Sequence, residues 1–391
     1  MRLKQQPGDF RVDEVLRDDY LQAKGPHRVY RVIKRKQTSI EAARALGEMA
    51  GVAGSQVSMA GLKDKQGVTT QYMSIPRGRR VQFKDHELDI ETVGFGTDAI
   101  SSRDSKGNAF QIIARDLGPS EVVKLRSSLD SVREHGLPNY FDEQRFGNLR
   151  HNQGWIAKGL MLDQTEQALK RLLTAISDHD SQSECSLKSS LARKWGDWRA
   201  CREVAGRFGR HHSIFEHLRR EEGDFAGAFR FVASRIRLIH LYAWQSHIWN
   251  RALARHFDGC TPRREKFVVR TPEGPQVFPK GLGQLPDEWE GCLPLPGNRL
   301  AGVDQPDQVV LFEAVLKRER LTRSQFVIEG IPGFVLKPEL RPALVVPQNL
   351  RIRPAERDPR NRGQRMVKMS FQLPRGSYAT LAVRRLLATS R

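Results

Sequence analysis

The chain has 391 residues, 39% hydrophobic and 28% charged, with a mean hydropathy of −0.54; this is enough for two or three domains and a sizeable core. Its 65 Lys and Arg against 45 Asp and Glu leave a net charge of +20 and a pI near 10.2, which points to a polyanionic partner, nucleic acid first and acidic membrane surface second. No run approaches the ~18 apolar residues of a membrane span, the opening Met1–Pro7 segment has no apolar signal core, and Cys185, Cys201, Cys260 and Cys292 form no C-x-x-C pair. A membrane spanner, a secreted disulfide scaffold and a zinc site are therefore not expected, and a reducing cytoplasm is.

Along the first 150 residues, strand-like and helix-like patterns alternate. Phe10 and Val12 alternate with polar neighbours ahead of Val15, and Val29–Ile33 is rich in β-formers. Thr38 and Glu41 have capping-box spacing, and Ile40, Ala43, Leu46 and Met49 predict one apolar helix face that ends at Gly51. Val57–Met59 leads into a polar loop, Gly61–Gly67, and Val68–Ile75 follows as a strand stopped by Pro76. Phe110–Ile113 predicts another strand. Ser120 is placed to cap a helix with Val122, Leu125, Leu129 and Val132 inward and Gly136 at its end.

From Asn152 to Asn250 the pattern is mainly helical, with Ala168, Leu169, Leu172 and Ile176 at helical spacing and Trp244, Ile248 and Trp249 later; the polar stretch 178–190 is expected to be a loop. Residues 257–350 carry many prolines and short apolar runs such as Val268–Val269 and Val309–Phe312. The tract 351–365 has six arginines and two acids and has the composition of a linker. Met369–Leu373 predicts a strand and Ala379–Leu387 a last helix. The expected fold class is α+β, a sheet domain interrupted by a large insertion.

Few residues suggest chemistry. In Gly61-Leu62-Lys63-Asp64-Lys65-Gln66-Gly67 one carboxylate lies between two cations at a strand end. Such a group stays ionised, as a nucleophile or base must, although a solvated turn Asp has the same spacing. In an extended stretch Lys63 and Lys65 point away from the Asp64 side, so its partner comes from elsewhere, with Lys34 a candidate. The segment Pro138–Gly147 concentrates aromatics, amides and Arg, which stack on unpaired bases and bond their edges; the same residues also suit a core. His211, His212 and His217 lack acidic or Cys partners at metal-ligand spacing. Neither a phosphate-binding P-loop nor a G-x-S-x-G elbow is present. Lys34-Arg35-Lys36 and the 351–365 arginines are either phosphate contacts or solvated charge.

Ala60-Gly61-Leu62-Lys63-Asp64-Lys65 with Val68-Thr69-Thr70-Gln71, and Asn139-Tyr140-Phe141-x-x-Gln144-Arg145-Phe146-Gly147, closely resemble the signatures of the TruD-type transfer-RNA pseudouridine synthases. Asp9-Phe10-x-Val12-x-Glu14, Lys106–Phe110 and Leu373-Pro374-x-Gly376–Thr380 occur in the same order. Tyr242–Asn250 and Leu340–Pro347 match more loosely. Two positions depart from the pattern: the family usually has Gly or a small residue at Asp142 and often Asn at Lys36. The resemblance implies a V-shaped protein, with residues 1–155 and 346–391 as the catalytic domain and 156–345 as the inserted family-specific domain. It implies isomerisation of uridine in RNA, typically uridine 13 of tRNA, without a cofactor or metal. By motif match Asp64 would be the catalytic aspartate, Asn139 and Phe141 would sit in the uracil pocket, and Lys34 near the Asp. The competing class is an RNA-binding or RNA-chaperone protein that keeps the fold without the reaction.

Overall fold

The computed structural model describes residues 1–63, 65–281 and 283–387. The chain divides into two compact units, Met1–Leu137 with Val345–Arg391, and Pro138–Leu344. Residues 138–155, expected with the first unit, pack with the second.

Among the described residues the first unit is built on a ten-stranded sheet. Its strands are β1 (Phe10–Leu16), β2 (His27–Arg35), β3 (Ser58–Met59), β4 (Val68–Pro76), β5 (Gln82–Lys84), β6 (Leu88–Gly96) and β7 (Ser105–Leu117), followed by β8 (Gln348–Ile352), β9 (Glu356–Arg357) and β10 (Arg365–Pro374). The order is β8-β10-β7-β1-β4-β2-β6-β5, with β9 beside β10 and β3 beside β4. Only β1 and β4 run parallel; the other neighbours are antiparallel. The late strand β10 is thus seated on β7, with Phe371 opposite Phe110. These two rings and Phe10 form an aromatic cluster.

Helix α1 (Ser39–Ala50) begins at the expected capping box, with Thr38 accepting from the Glu41 N–H, and ends at Gly51 in the left-handed region. Its buried face differs from the expected one. Ala42, Ala43, Leu46, Gly47 and Ala50 are turned inward, while Ile40 and Met49 are exposed. Small residues let the helix sit close on Tyr30, Val32, Met73 and Ile75 of the sheet, and the larger side chains are displaced outward.

Three further expectations are corrected. The segment 178–190 is not a loop, because Gln182–Lys194 is a helix with a Ser181–Glu184 capping box. It buries only Leu187 and Leu191, too few apolar residues to register as a period. Ser120 does not cap its helix; Gly118 and Pro119 open Pro119–Ser127, and a separate helix, Leu129–His135, follows. The tract 351–365 is not a linker, since it supplies β9 and flanks β8 and β10.

In the second unit the 27-residue helix Ser234–Cys260 buries Leu241, Trp244, Ile248, Trp249, Leu253 and Phe257. Shorter helices between Ile156 and Arg220 precede it. Two-stranded ribbons, Lys266–Thr271 with Gly274–Pro279 and Cys292–Leu295 with Glu339–Pro342, and helix Pro306–Arg318 follow.

One buried charge cluster ties both ends of the chain to the first unit. Arg115 Nε donates to Asp9 at 2.9 Å and its Nη1 to Asp358 at 3.1 Å. Burial opposes ionisation of Asp358, but donors from Asn361, the Asp116 and Arg360 N–H groups and Arg115 hold its carboxyl well below the usual range. Because the folded value is depressed, this stabilisation is present above the unfolded carboxylate value of about 4 and is lost as pH falls below it. Arg115→Met leaves two buried carboxylates without their cation and should cost about 3–5 kcal/mol at pH 7 in denaturant unfolding. The deficit should narrow as the pH falls below about 4 and the advantage carried by the Asp358 carboxylate is lost. An unchanged midpoint at pH 7 would show that the cluster is not stabilising.

Candidate functional site

Asp64 lies outside the described residues; the frame on either side of it is set by buried polar groups. Lys63 is tied at three points. Its N–H donates to Ser39 Oγ at 2.8 Å, its carbonyl accepts from Lys34 Nζ at 3.4 Å, and its Nζ meets Glu14 Oε1 at 2.8 Å and Asn108 Oδ1 at 2.6 Å. Ser39 Oγ in turn donates to Gln71 Oε1 at 2.6 Å, and Gln71 Nε2 reaches the Gly61 carbonyl at 3.5 Å. After the loop, Gly67 adopts φ 123, and a Cβ there would meet the Phe10 carbonyl at 2.6 Å. Only glycine fits this approach of the chain to β1.

These partners come from neighbouring strands and from the first turn of α1. The register sets Asn108 opposite Glu14, Val12 beside Thr69, and Thr69 opposite Lys34. Side chains at alternate positions share a face, so Asn108, Glu14, Thr69, Gln71 and Lys34 form a polar strip across β7, β1, β4 and β2. On β4 and β2 the same face continues into the apolar core under α1. Glu14 also accepts from the Tyr72 N–H at 2.9 Å. Lys34 is 1% exposed and donates to the Gln37 carbonyl at 2.8 Å. A lysine this deeply buried beside the Lys63 carbonyl supplies positive potential in a low-dielectric place. The Thr69 hydroxyl, also buried, has no hydrogen-bond partner among the described residues. Lys36, where the resembled family often has Asn, has φ 54, a left-handed conformation that Asn adopts more readily than Lys.

In the second unit, Asn139 and Phe141 are held by residues the sequence reading did not single out. Arg341 Nε and Nη2 donate to the Asn139 carbonyl at 3.1 and 2.7 Å, and Nη2 also to Asn139 Oδ1 at 3.1 Å. Asn139 Nδ2 donates to the Pro342 carbonyl at 3.1 Å. The Arg341 guanidinium lies 3.9 Å from the centre of the Phe141 ring, and Trp249 meets that ring edge-on at 5.6 Å. Asn250 pairs with the Phe141 backbone on both sides, at 2.8 Å each. Arg145 lies 5.4 Å from the Phe141 ring and donates to Ser246 Oγ. A cation on an aromatic face in a desolvated place contributes about 2 kcal/mol. Tyr140 and Phe146 are core. The Tyr140 hydroxyl is locked to Val277, burial pushes its phenol well up, and Phe146 packs on Trp155. Asp142 is buried as well, and its carbonyl accepts from the Arg145 N–H.

The signals for the missed partners were present but weak. Glu14 and Asn108 fall within the supporting motifs, Asn250 and Arg341 within the loosely matching stretches. Of the three histidines, His217 pairs with Asp224 at 2.8 Å. Among the described residues no group of His, Cys, Asp and Glu is arranged to hold a metal. No helix of the described residues is long and apolar enough to cross a membrane.

Three comparisons with known proteins agree. A solved structure described as the putative tRNA pseudouridine synthase D (TruD) of Methanosarcina mazei superposes with a TM-score of 0.73 at 22% identity, over 100% of this chain and 94% of that one, and it carries the same two-domain α+β fold. A probable tRNA pseudouridine synthase D 1 of Methanococcus maripaludis is 28% identical over 99% of both chains. The tRNA pseudouridine synthase D of Aquifex aeolicus is 28% identical over 100% of this chain and 98% of its own length. A probable tRNA pseudouridine synthase D of Methanopyrus kandleri is 30% identical over 94% of this chain and 86% of its own. The family model for tRNA pseudouridine synthase D (TruD) matches residues 1–275 and 287–386, and the chain therefore belongs to the TruD family.

Proposed function

We propose that the protein isomerises uridine to pseudouridine in tRNA, at uridine 13, with Asp64 as nucleophile or base and no cofactor, in the cytoplasm. The observation that best supports this is the three-point anchoring of Lys63, which fixes the chain immediately before Asp64 above a buried lysine. A catalytic carboxylate must be held to within a fraction of an ångström of its target, and few other needs account for so many buried polar groups on one loop residue. Asn139 and Phe141 are the proposed uracil-pocket residues.

The reaction breaks N1–C1′ and forms C5–C1′; C5 loses a proton and N1 gains one, so nothing is oxidised or hydrolysed. The Asp64 carboxylate attacks C1′ or removes a sugar proton, and the detached uracil turns while an aromatic face and an amide retain it. The target leaves its stack at a cost of a few kcal/mol, which phosphate contacts to basic residues offset. The direct test is carbodiimide labelling of a tRNA panel after incubation with the protein. A new stop at uridine 13 is expected; no labelled uridine in any tRNA would overturn the reading.

Three variants test the roles. Asp64→Asn, nearly isosteric but neither nucleophile nor base, should abolish pseudouridine formation with tRNA affinity within a few fold of the parent. Robust turnover would remove Asp64 from the chemistry.

Lys63→Met should leave the buried Glu14 carboxylate uncompensated and cost about 3–5 kcal/mol of stability. Adding Glu14→Gln should restore much of the stability, yet the single-turnover rate should stay at least ~10-fold down because the loop has lost its anchor. A normal rate in the double variant would show that the pair is structural only.

Phe141→Ala should slow the single-turnover rate ~5- to 150-fold, equivalent to about 1–3 kcal/mol of lost stacking, while Phe141→Tyr keeps the face and stays near the parent. A large drop in melting temperature with an unchanged rate for the folded fraction would make Phe141 a packing residue.

A further inference from the structure

The arginines of 351–365 remain without a role in the site. Arg351, Arg353, Arg357, Arg360, Arg362 and Arg365 are all exposed, and among the described residues none is in an ion pair. The two acids of the tract are occupied elsewhere. Asp358 is buried against Arg115, and Glu356 pairs with Lys368 at 3.1 Å. The tract therefore presents six exposed guanidiniums against one exposed carboxylate, Glu356, which is already paired with Lys368.

Its backbone is rigid. Asp358 accepts from the Arg360 N–H at 3.0 Å and from Asn361 Nδ2 at 2.8 Å, and its own N–H donates to the Gln364 carbonyl at 3.0 Å. The hairpin from β9 to β10 is thus clamped from within, and its arginines are presented on a fixed turn. Register adds a second feature. Arg357 stands directly opposite Arg365 on the paired strand. Cβ atoms of such pairs lie about 4.5–5.5 Å apart, and like charges there are destabilising. A chain that holds two guanidiniums together at a cost has an arrangement suited to an anion that neutralises both, and phosphodiesters on one RNA backbone are spaced to do so.

We propose that this arginine edge of the sheet contacts the phosphate backbone of the tRNA substrate, away from the reacting uridine. The proposal rests on the reading that tRNA is the substrate. In the sheet order, β8 lies four strand spacings from β4, about 19 Å at about 4.8 Å per spacing. Phosphate contacts so far from the loop position the RNA and leave the chemical step alone.

The test uses the full chain and a triple variant, Arg357→Gln with Arg360→Gln and Arg362→Gln. A second triple, Arg44→Gln with Arg103→Gln and Arg199→Gln, removes the same charge at exposed positions elsewhere. tRNA affinity is measured from 50 to 200 mM salt, with the single-turnover rate at saturating tRNA and the melting temperature. The hairpin triple should lower the slope of log K against log[salt] by about 0.9 for each phosphate no longer neutralised, roughly 2–3 in all, with the rate unchanged and the melting temperature no lower than the parent's, because Arg357→Gln relieves the repulsion with Arg365. The control triple should keep the parent slope. Equal slopes for parent and hairpin triple overturn the proposal, as does an equal reduction in both triples, which would mean a diffuse field. Aggregation of the hairpin triple with undiminished tRNA affinity would make the arginines edge protection. Abolished binding to phosphatidylserine vesicles with tRNA affinity retained would make the surface a membrane-binding one. Absence of tRNA binding by the parent overturns both readings, whereas intact pseudouridine formation with an unchanged slope in the hairpin triple overturns this one alone.

Discussion

Glu14 is a carboxylate with a 1% exposed side chain, set two residues before the end of β1 and next to the core, and it is tolerable there because Lys63 Nζ lies 2.8 Å away and the Tyr72 N–H donates to it at 2.9 Å. The dependence runs both ways. Lys63 sits on a loop, and a loop residue gives up its solvent only when every polar group it carries finds a partner. Ser39, Lys34, Glu14 and Asn108 supply those partners. Remove the carboxylate and the Lys63 ammonium keeps only the neutral Asn108 Oδ1; remove the lysine and the loop loses its tether. The segment that leads into Asp64 is thus fixed by the cost of leaving charge unpaired in a low-dielectric place, not by apolar packing.

That tether needs the whole sheet. Asn108, Glu14, Gln71 and Lys34 come from β7, β1, β4 and β2, four adjacent strands that are far apart in sequence. The parallel pairing of β1 with β4 brings Val12 beside Thr69 and so aligns the polar strip. Ser39 joins it because the Thr38 cap starts α1 at the residue where the helix meets the strip. β7 is itself held by β10, and the Asp9–Arg115–Asp358 cluster locks the chain ends around it. Stability and the site frame are therefore coupled through one sheet.

The second unit uses a different device for the same purpose. Arg341 spends its guanidinium on the Asn139 carbonyl and amide oxygen and lays its face on Phe141. A planar donor fork can bond in its plane and stack on its face at once, which a lysine cannot. Asn250 then takes both backbone groups of Phe141. Two side chains thus fix Asn139 and Phe141 on either side of Tyr140. Tyr140, between them, points the other way into the core at Val277, as alternation along an extended segment requires.

Local chemistry made part of this legible from sequence alone. The α1 cap and its glycine stop, the strands over Val68–Ile75 and Met369–Leu373, the last helix and the charge surplus all follow from neighbouring residues, and so could be read in order. The sequence also marked the Asp64 loop and the Asn139–Gly147 segment as unusual. It could not show which way α1 turns its face, because large apolar residues such as Ile40 and Met49 dominate the periodic pattern, whereas close approach to the sheet favours the small ones. Nor could it make a helix of 182–194, where two leucines suffice only because the neighbouring helices complete the burial. The 351–365 arginines read as a linker because β-pairing and the Asp358 clamp are long-range. Lys63 with Glu14, and Arg341 with Asn139, lie 49 and 202 residues apart. A buried charge finds its partner only when strands and ribbons distant in the chain are brought side by side, so those pairings were decided by the tertiary structure.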